Sequence, residues 1–167
     1  MKEKICIIGL GYVGLPLSYA FSSRGFKVVG YDNSKNRING LKKSLDKNGE
    51  FSKKELSDNK NLIFSNNVQD VKSSNIYIVT VPTPVKKNKI PNLNPLLKAT
   101  KTVAECLSIN DIVIYESTVY PGCTEEECVP VLEKYSKLKY NKDFYCGYSP
   151  ERINPGDKKR KLEDIIK

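Results

Sequence analysis

A chain of 167 residues, 39% of them hydrophobic, can build one domain with a real core and is too short for two ordinary domains. It holds no histidine, which excludes a His-based triad or His general base, and no apolar run approaches the roughly 18 residues that span a bilayer. The net charge of +9 is spread over helix faces and loops without interleaved aromatics, so it reads as a solvated surface rather than a nucleic-acid interface.

The run Ile5-Cys6-Ile7-Ile8 predicts a strand over 4–8, buried on both faces of a parallel sheet. Behind it stands Gly9-Leu10-Gly11-Tyr12-Val13-Gly14, a Gly-x-Gly-x-x-Gly turn. In such a turn Gly9 permits the tight bend, Gly11 lets a pyrophosphate approach the backbone, and Gly14 lets the next helix pack on the strand. That helix is expected over about 12–24 with Gly25 as its stop, its N-terminus turned toward the phosphates. A second strand, 27–31, ends at Asp32, eighteen positions after Gly14. An acid at that offset is placed to bind the adenosine ribose hydroxyls, so the unit predicts a bound dinucleotide. A plain glycine-rich turn with a surface Asp is the blander alternative, and the agreement of strand, turn, helix, strand and acid speaks against it. The Asp32 carboxylate accepts from a 2′-hydroxyl and repels a 2′-phosphate, which favours NAD over NADP. Lys35 and Arg37 pull the other way, because cations after the second strand can accommodate that phosphate. Arg37 could equally be solvated, or stack on the adenine.

A helix over about 34–45 and a polar, lysine-rich stretch over 46–60 follow, the latter read as a short helix or a mobile loop. A strand at 62–65, a helical segment near 67–72 and a strand at 75–82 come next. Pro82, Pro84, Pro91 and Pro95 keep 82–95 from being regular throughout. Then come a helix over 94–107, a strand at 111–117, a helix from 121 to 136 with Pro121 in its first turn, and a strand at 144–150. Alternating strands and helices predict an α/β class, a Rossmann-like doubly wound and mainly parallel sheet in a single domain, 1–153. Residues 154–167, with a dense basic run at 158–161, read as a charged tail. In open α/β sheets ligands lie at the carboxyl ends of strands. Three such ends carry unusual chemistry: VPTP at 81–84, ESTVYPG at 116–122 and SPERINPG at 149–156. Their prolines would present Thr83, Thr118 and Glu151 from stiff backbones. From physics alone, strand-terminating turns with incidental hydroxyls remain an equal reading.

Cys6, Cys106, Cys123, Cys128 and Cys146 are scattered, odd in number and partly inside apolar runs, as cytosolic thiols are. Cys123 and Cys128 lack a second Cys or His pair, so no metal site is expected. The start of the chain enters the first strand without a signal-peptide pattern, which predicts a cytoplasmic location and no membrane association.

The three loops, in that order behind GLGYVGLP, resemble the UDP-glucose/GDP-mannose dehydrogenase family over nearly the whole chain. The likeness is greatest to the branch acting on UDP-N-acetylglucosamine or UDP-N-acetylmannosamine. Where the UDP-glucose branch carries the second Glu of an Asn-Pro-Glu-Phe-Leu-Arg-Glu loop, Pro155 stands here. Such enzymes oxidise a C6 alcohol to a carboxylate in two NAD-linked steps, for surface polysaccharides. The resemblance implies that Gly9, Gly11, Tyr12, Val13 and Gly14 hold the NAD pyrophosphate and that Asp32 and Arg37 address the adenosine ribose. Thr83 and Thr118 would lie along the cofactor toward the nicotinamide. Thr118 and Glu151 would position the water that hydrolyses a thioester intermediate, and Glu151 and Arg152 would lie against the UDP-sugar. The family's nucleophilic cysteine sits in a later Cys-x-Pro-Lys-Asp motif, and no cysteine here has that context. Cys123, in the TVYPGC loop, has no adjacent His or Lys base and is not assigned that role. The family's catalytic Lys and Asn, its central dimer helix and its uridine-binding domain are likewise not found in these residues. The expectation is therefore the cofactor domain of a nucleotide-sugar dehydrogenase, inactive alone, or alternatively a stand-alone NAD-binding remnant without catalysis. Homo-oligomers are implied for full-length relatives, and a monomer is expected for this chain.

Overall fold

Six short strands hydrogen-bond side by side, all parallel, in the order β3-β2-β1-β4-β5-β6. They are β1 (Lys4–Ile8), β2 (Lys27–Tyr31), β3 (Leu62–Ser65), β4 (Ile76–Val79), β5 (Asp111–Tyr115) and β6 (Phe144–Tyr148). The computed structural model describes residues 3–85, 89–150 and 152. Strand order reverses at β1, which pairs with β2 on one side (Ile5 opposite Val28) and β4 on the other (Ile5 opposite Ile76). A crevice opens at that switch point, above the carboxyl ends of the strands.

Period-two alternation along β1 feeds two cores. Ile5 and Ile7 join Leu15, Ile38 and Leu41 on the face covered by α1 (Gly14–Ser23) and α2 (Lys35–Lys42). Cys6 and Ile8 join Leu96, Val103 and Leu132 on the opposite face, under α5 (Asn94–Ala104) and α6 (Val129–Ser136). Two shorter helices, α3 (Lys53–Asp58) and α4 (Val68–Val71), flank β3. Burial at that scale stabilises by about 25 cal/mol per Å² of apolar surface and is what fixes the sheet's register.

Sequence expectation and structure differ at several borders. α1 begins at Gly14 rather than near 12, which leaves Gly11, Tyr12 and Val13 as an open turn. The stretch 46–60 takes the short-helix alternative as α3, whose Ser52–Glu55 capping box satisfies both end amides. β4 and β5 end at Val79 and Tyr115, because their chains leave the sheet to form the two loops above it. Pro121 does not open the helix. It lies two residues before a helical run that begins at Cys123, widens into a π turn at Thr124–Cys128 and continues unbroken into α6, so that Pro130 sits inside the run. A proline ring at 130 crowds the carbonyl four residues earlier, and the wider π turn, with the Val129 N–H reaching Thr124 O, relieves that clash.

Candidate dinucleotide site

Each glycine of the turn has its own physical reason. Gly9 adopts φ +97°, and its N–H donates to Tyr31 O at 2.8 Å, binding the turn to β2. A Cβ at Gly14 would collide with the Gly9 carbonyl oxygen and with Thr80 Oγ1, so only glycine lets α1 sit this close. A Cβ at Gly11 would meet no atom within 4 Å, so this residue faces open space. The N–H groups of Gly11, Tyr12 and Val13 make no hydrogen bond among the described residues. Together with the dipole of the ten-residue α1 they can take up an anion. Tyr12 and Gly11 are exposed and Val13 half-buried.

Thr80, not singled out in the sequence, locks this turn from β4. Its buried hydroxyl lies 2.7 Å from Gly9 O and 3.1 Å from Ile8 O, and its N–H donates to Ile8 O at 2.9 Å.

Asp32 crowns β2. Its Oδ2 accepts from Leu10 N–H at 2.9 Å and its Oδ1 from Ser34 N–H at 2.8 Å. Each oxygen retains a lone pair, which two vicinal ribose hydroxyls can use. Arg37 is turned to the turn itself: Nε donates to Leu10 O at 2.8 Å and Nη1 to Asp46 Oδ1 at 2.7 Å. Beside Asp32 a cleft of about 250 Å³ is walled by Tyr31 and Asn33 on one side and by Val81 and Pro82 on another. Its third wall is one face of α5, carrying Pro95, Lys98, Ala99 and Thr102. The i, i+3, i+4, i+7 spacing of those four residues behind VPTP is the signal that could have found this wall.

At the other end the predicted threonines meet. Thr83 Oγ1 donates to Thr118 O at 2.5 Å, and the buried Ser117 hydroxyl donates to Val81 O at 2.7 Å. The loops after β4 and β5 are thereby laced into one platform, with the Thr118 side chain exposed above it. Arg152 is exposed, and Glu151 lies outside the described residues.

All five cysteines are free, four of them buried. Burial pushes the Cys123 thiol up, with the Glu127 carboxylate adding to it, and Cys128 and Cys146 rise to about 11 and about 12 for the same first reason. None of these is a thiolate at neutral pH. Among the described residues no three His, Cys, Asp or Glu side chains gather to hold a metal, and no helix is long and apolar enough to cross a membrane.

The strand order, the glycine turn and the acid after β2 together define a Rossmann-type dinucleotide-binding domain. Residues 3–166 match the UDP-glucose/GDP-mannose dehydrogenase family's NAD binding domain, and the chain belongs to that family. It is similar to the UDP-N-acetyl-D-glucosamine 6-dehydrogenase of Salmonella typhi, 55% identical over 166 residues, covering 99% of this chain and 39% of that protein. Among solved structures it resembles the UDP-D-ManNAc dehydrogenase of Pyrococcus horikoshii at 36% identity, with a TM-score of 0.80 over 92% of this chain and 37% of that one. A ternary complex of GDP-mannose dehydrogenase from Pseudomonas aeruginosa gives a TM-score of 0.85 at 26% identity, over 98% and 38%. The chain thus spans about two fifths of the length of these relatives. NAD is the cofactor of this domain family.

Proposed function

We propose that this chain supplies the cofactor half of a UDP-N-acetylhexosamine 6-dehydrogenase, which takes the C6 alcohol of the sugar to a carboxylate in two NAD-linked steps. The reading is carried by the convergence of the glycine turn, Asp32 and the Thr83–Thr118 pair at the carboxyl ends of β1, β2, β4 and β5. Bound NAD would accept the hydride from C6. The chain's own groups bind and orient. N–H groups of Gly11, Tyr12, Val13 and Gly14 receive the pyrophosphate, with Gly9 shaping the turn. Asp32 takes the ribose, with Arg37 behind it, and the adenine enters the cleft against α5. Thr83 and Thr118 flank the nicotinamide, and Thr118 with Glu151 orients the hydrolytic water. Glu151 and Arg152 meet the sugar. The likeness to the UDP-N-acetyl-D-glucosamine 6-dehydrogenase supports an N-acetylated substrate, and the family resemblance of the motifs supports chemistry in the cytoplasm and a product for surface polysaccharides.

Taken by itself the 167-residue chain acts as an NAD-binding module, because four of its five thiols are buried and burial pushes Cys123 further from the thiolate form. At saturating NAD with UDP-N-acetylglucosamine or UDP-N-acetylmannosamine it should form no NADH. Grafted in place of the matching segment of the Salmonella typhi relative, it should support turnover of the N-acetylated sugars over UDP-glucose. Sustained NADH formation by the chain alone would return Cys123 to consideration as nucleophile. A graft that prefers UDP-glucose would overturn the substrate class.

In solution the chain should be monomeric at low concentration and low salt. Its +9 charge opposes self-association, although Ile112 and Tyr145, paired across β5 and β6, leave an apolar patch exposed. Light scattering on a dilution series checks this, and a dimer that persists on dilution would show that the patch prevails.

A further inference from the structure

Asp46 belongs to none of the motifs above. It lies in the loop between α2 and α3, and its side chain is wholly shielded from solvent. An uncompensated carboxylate there would cost several kcal/mol, yet this one is saturated. Arg37 Nη1 and the Asn48 N–H donate to Oδ1 at 2.7 and 3.1 Å, and the Glu50 and Phe51 N–H groups donate to Oδ2 at 2.8 and 3.3 Å. Burial pushes the Asp46 carboxyl up, but the hydrogen bonds from Arg37, Asn48 and Glu50 outweigh it and hold the group below the usual carboxylate range. It is an anion at neutral pH, with the Arg37 guanidinium as its counter-ion.

The same guanidinium reaches into the glycine turn, where Nε holds Leu10 O at 2.8 Å. Leu10 O and the Gly11 N–H belong to one planar trans peptide, so they point in opposite directions. Fixing the carbonyl on Arg37 therefore fixes the direction of the Gly11 N–H, which makes no hydrogen bond among the described residues. Arg37 Nη2 is buried without a hydrogen bond among the described residues, a donor still unspent beside the turn.

We propose that Asp46 is a positioning residue of the NAD site, acting through Arg37 to set the Leu10–Gly11 peptide plane and with it the N–H that receives the pyrophosphate. This rests on the reading of the glycine turn as the NAD seat. The test is calorimetric titration of NAD into the wild-type chain, Asp46→Asn, Arg37→Lys and the double variant, with thermal melts alongside. Asparagine keeps the size of the carboxylate but cannot accept on both sides, and lysine keeps the charge but not the fork that spans Leu10 O and Asp46. Each single variant should bind NAD about tenfold more weakly, the effect of losing one charge-assisted hydrogen bond. The double should be no weaker than the worse single, because both act along one path. The Gly11 amide resonance of free Arg37→Lys should move as well. Losses that multiply in the double, or a single variant that binds as wild type does, would overturn the proposal. If Asp46→Asn does not fold, Asp46→Glu takes its place: weaker NAD binding at an unchanged melting temperature supports the proposal, and unchanged affinity overturns it. A wild-type chain that does not bind NAD overturns the reading of the turn instead, and the proposal with it.

Discussion

Gly14→Ala should cost the fold about 3 kcal/mol, at the upper end of what overpacking a tight contact costs. Gly11→Ala, three residues away, should leave stability within about 0.5 kcal/mol, as substitutions away from packed features do. The contrast follows from where the added methyl goes. At Gly14 it lands on the Gly9 carbonyl oxygen and the Thr80 hydroxyl, and neither can yield. Gly9 is fixed by its positive φ and by its bond to Tyr31 O, and Thr80 is tied to β1 through Ile8 and Gly9. α1 would have to lift off the sheet, disturbing the core around Leu15 and Leu17. At Gly11 the methyl meets nothing, and alanine lowers the backbone entropy of the unfolded chain, which favours the folded state. The space it fills is the approach of the pyrophosphate, so NAD affinity should fall by about tenfold or more, some 1.4 kcal/mol. Urea unfolding and NAD titration of both variants separate the two effects. A Gly14→Ala chain as stable as wild type would mean that the turn is not packed as described.

The two residues also show what was legible in the sequence. Few residue types satisfy a positive φ, a helix packed against a carbonyl, or an acid at a strand's carboxyl end, so Gly9, Gly14 and Asp32 announce themselves by type and spacing. The strand runs were equally plain, since a parallel strand buried on both faces leaves little room for polar residues. The α5 wall was not, because its core face at Leu96, Thr100 and Val103 explains the same helical periodicity without any ligand. Asp46 was invisible for another reason. A lone acid in a polar loop reads the same whether it is solvated or, as here, buried around a guanidinium nine residues away in sequence. Thr80 reads as an ordinary strand-forming residue until β1 is placed beside it. The second proline was obscure for a similar cause: Pro130 reads as a helix start or a break, and only the π turn before it shows how an unbroken helix carries it.

Asp32→Ala should weaken NAD by about 1–3 kcal/mol, the cost of losing hydrogen bonds to a charged group. It should also erase the preference for NAD over NADP that the wild-type chain is expected to show. The carboxylate already accepts from the Leu10 and Ser34 amides, so the ribose hydroxyls would complete a coordination that the fold has half built. Those two internal bonds anchor the acid at the cleft beside Tyr31 and Asn33, where a 2′-phosphate on the ribose would meet its charge at contact distance. Coulomb repulsion at about 4 Å amounts to several kcal/mol at the effective dielectric of a protein surface, enough to outweigh the attraction of more distant cations. With the carboxylate gone, that balance inverts. Lys98 lines the cleft from α5, Lys35 stands exposed at the start of α2, and among the described residues nothing anionic remains on the cleft wall to oppose a phosphate. NADP should therefore bind the variant at least as tightly as NAD does. Titration with both cofactors decides the matter, with a thermal melt to show that losing the Leu10 and Ser34 contacts has not opened the turn. Unchanged NAD affinity in a folded variant would remove Asp32 from the site, and equal affinity of the wild-type chain for the two cofactors would mean that Lys35, Arg37 and Lys98 prevail over the acid.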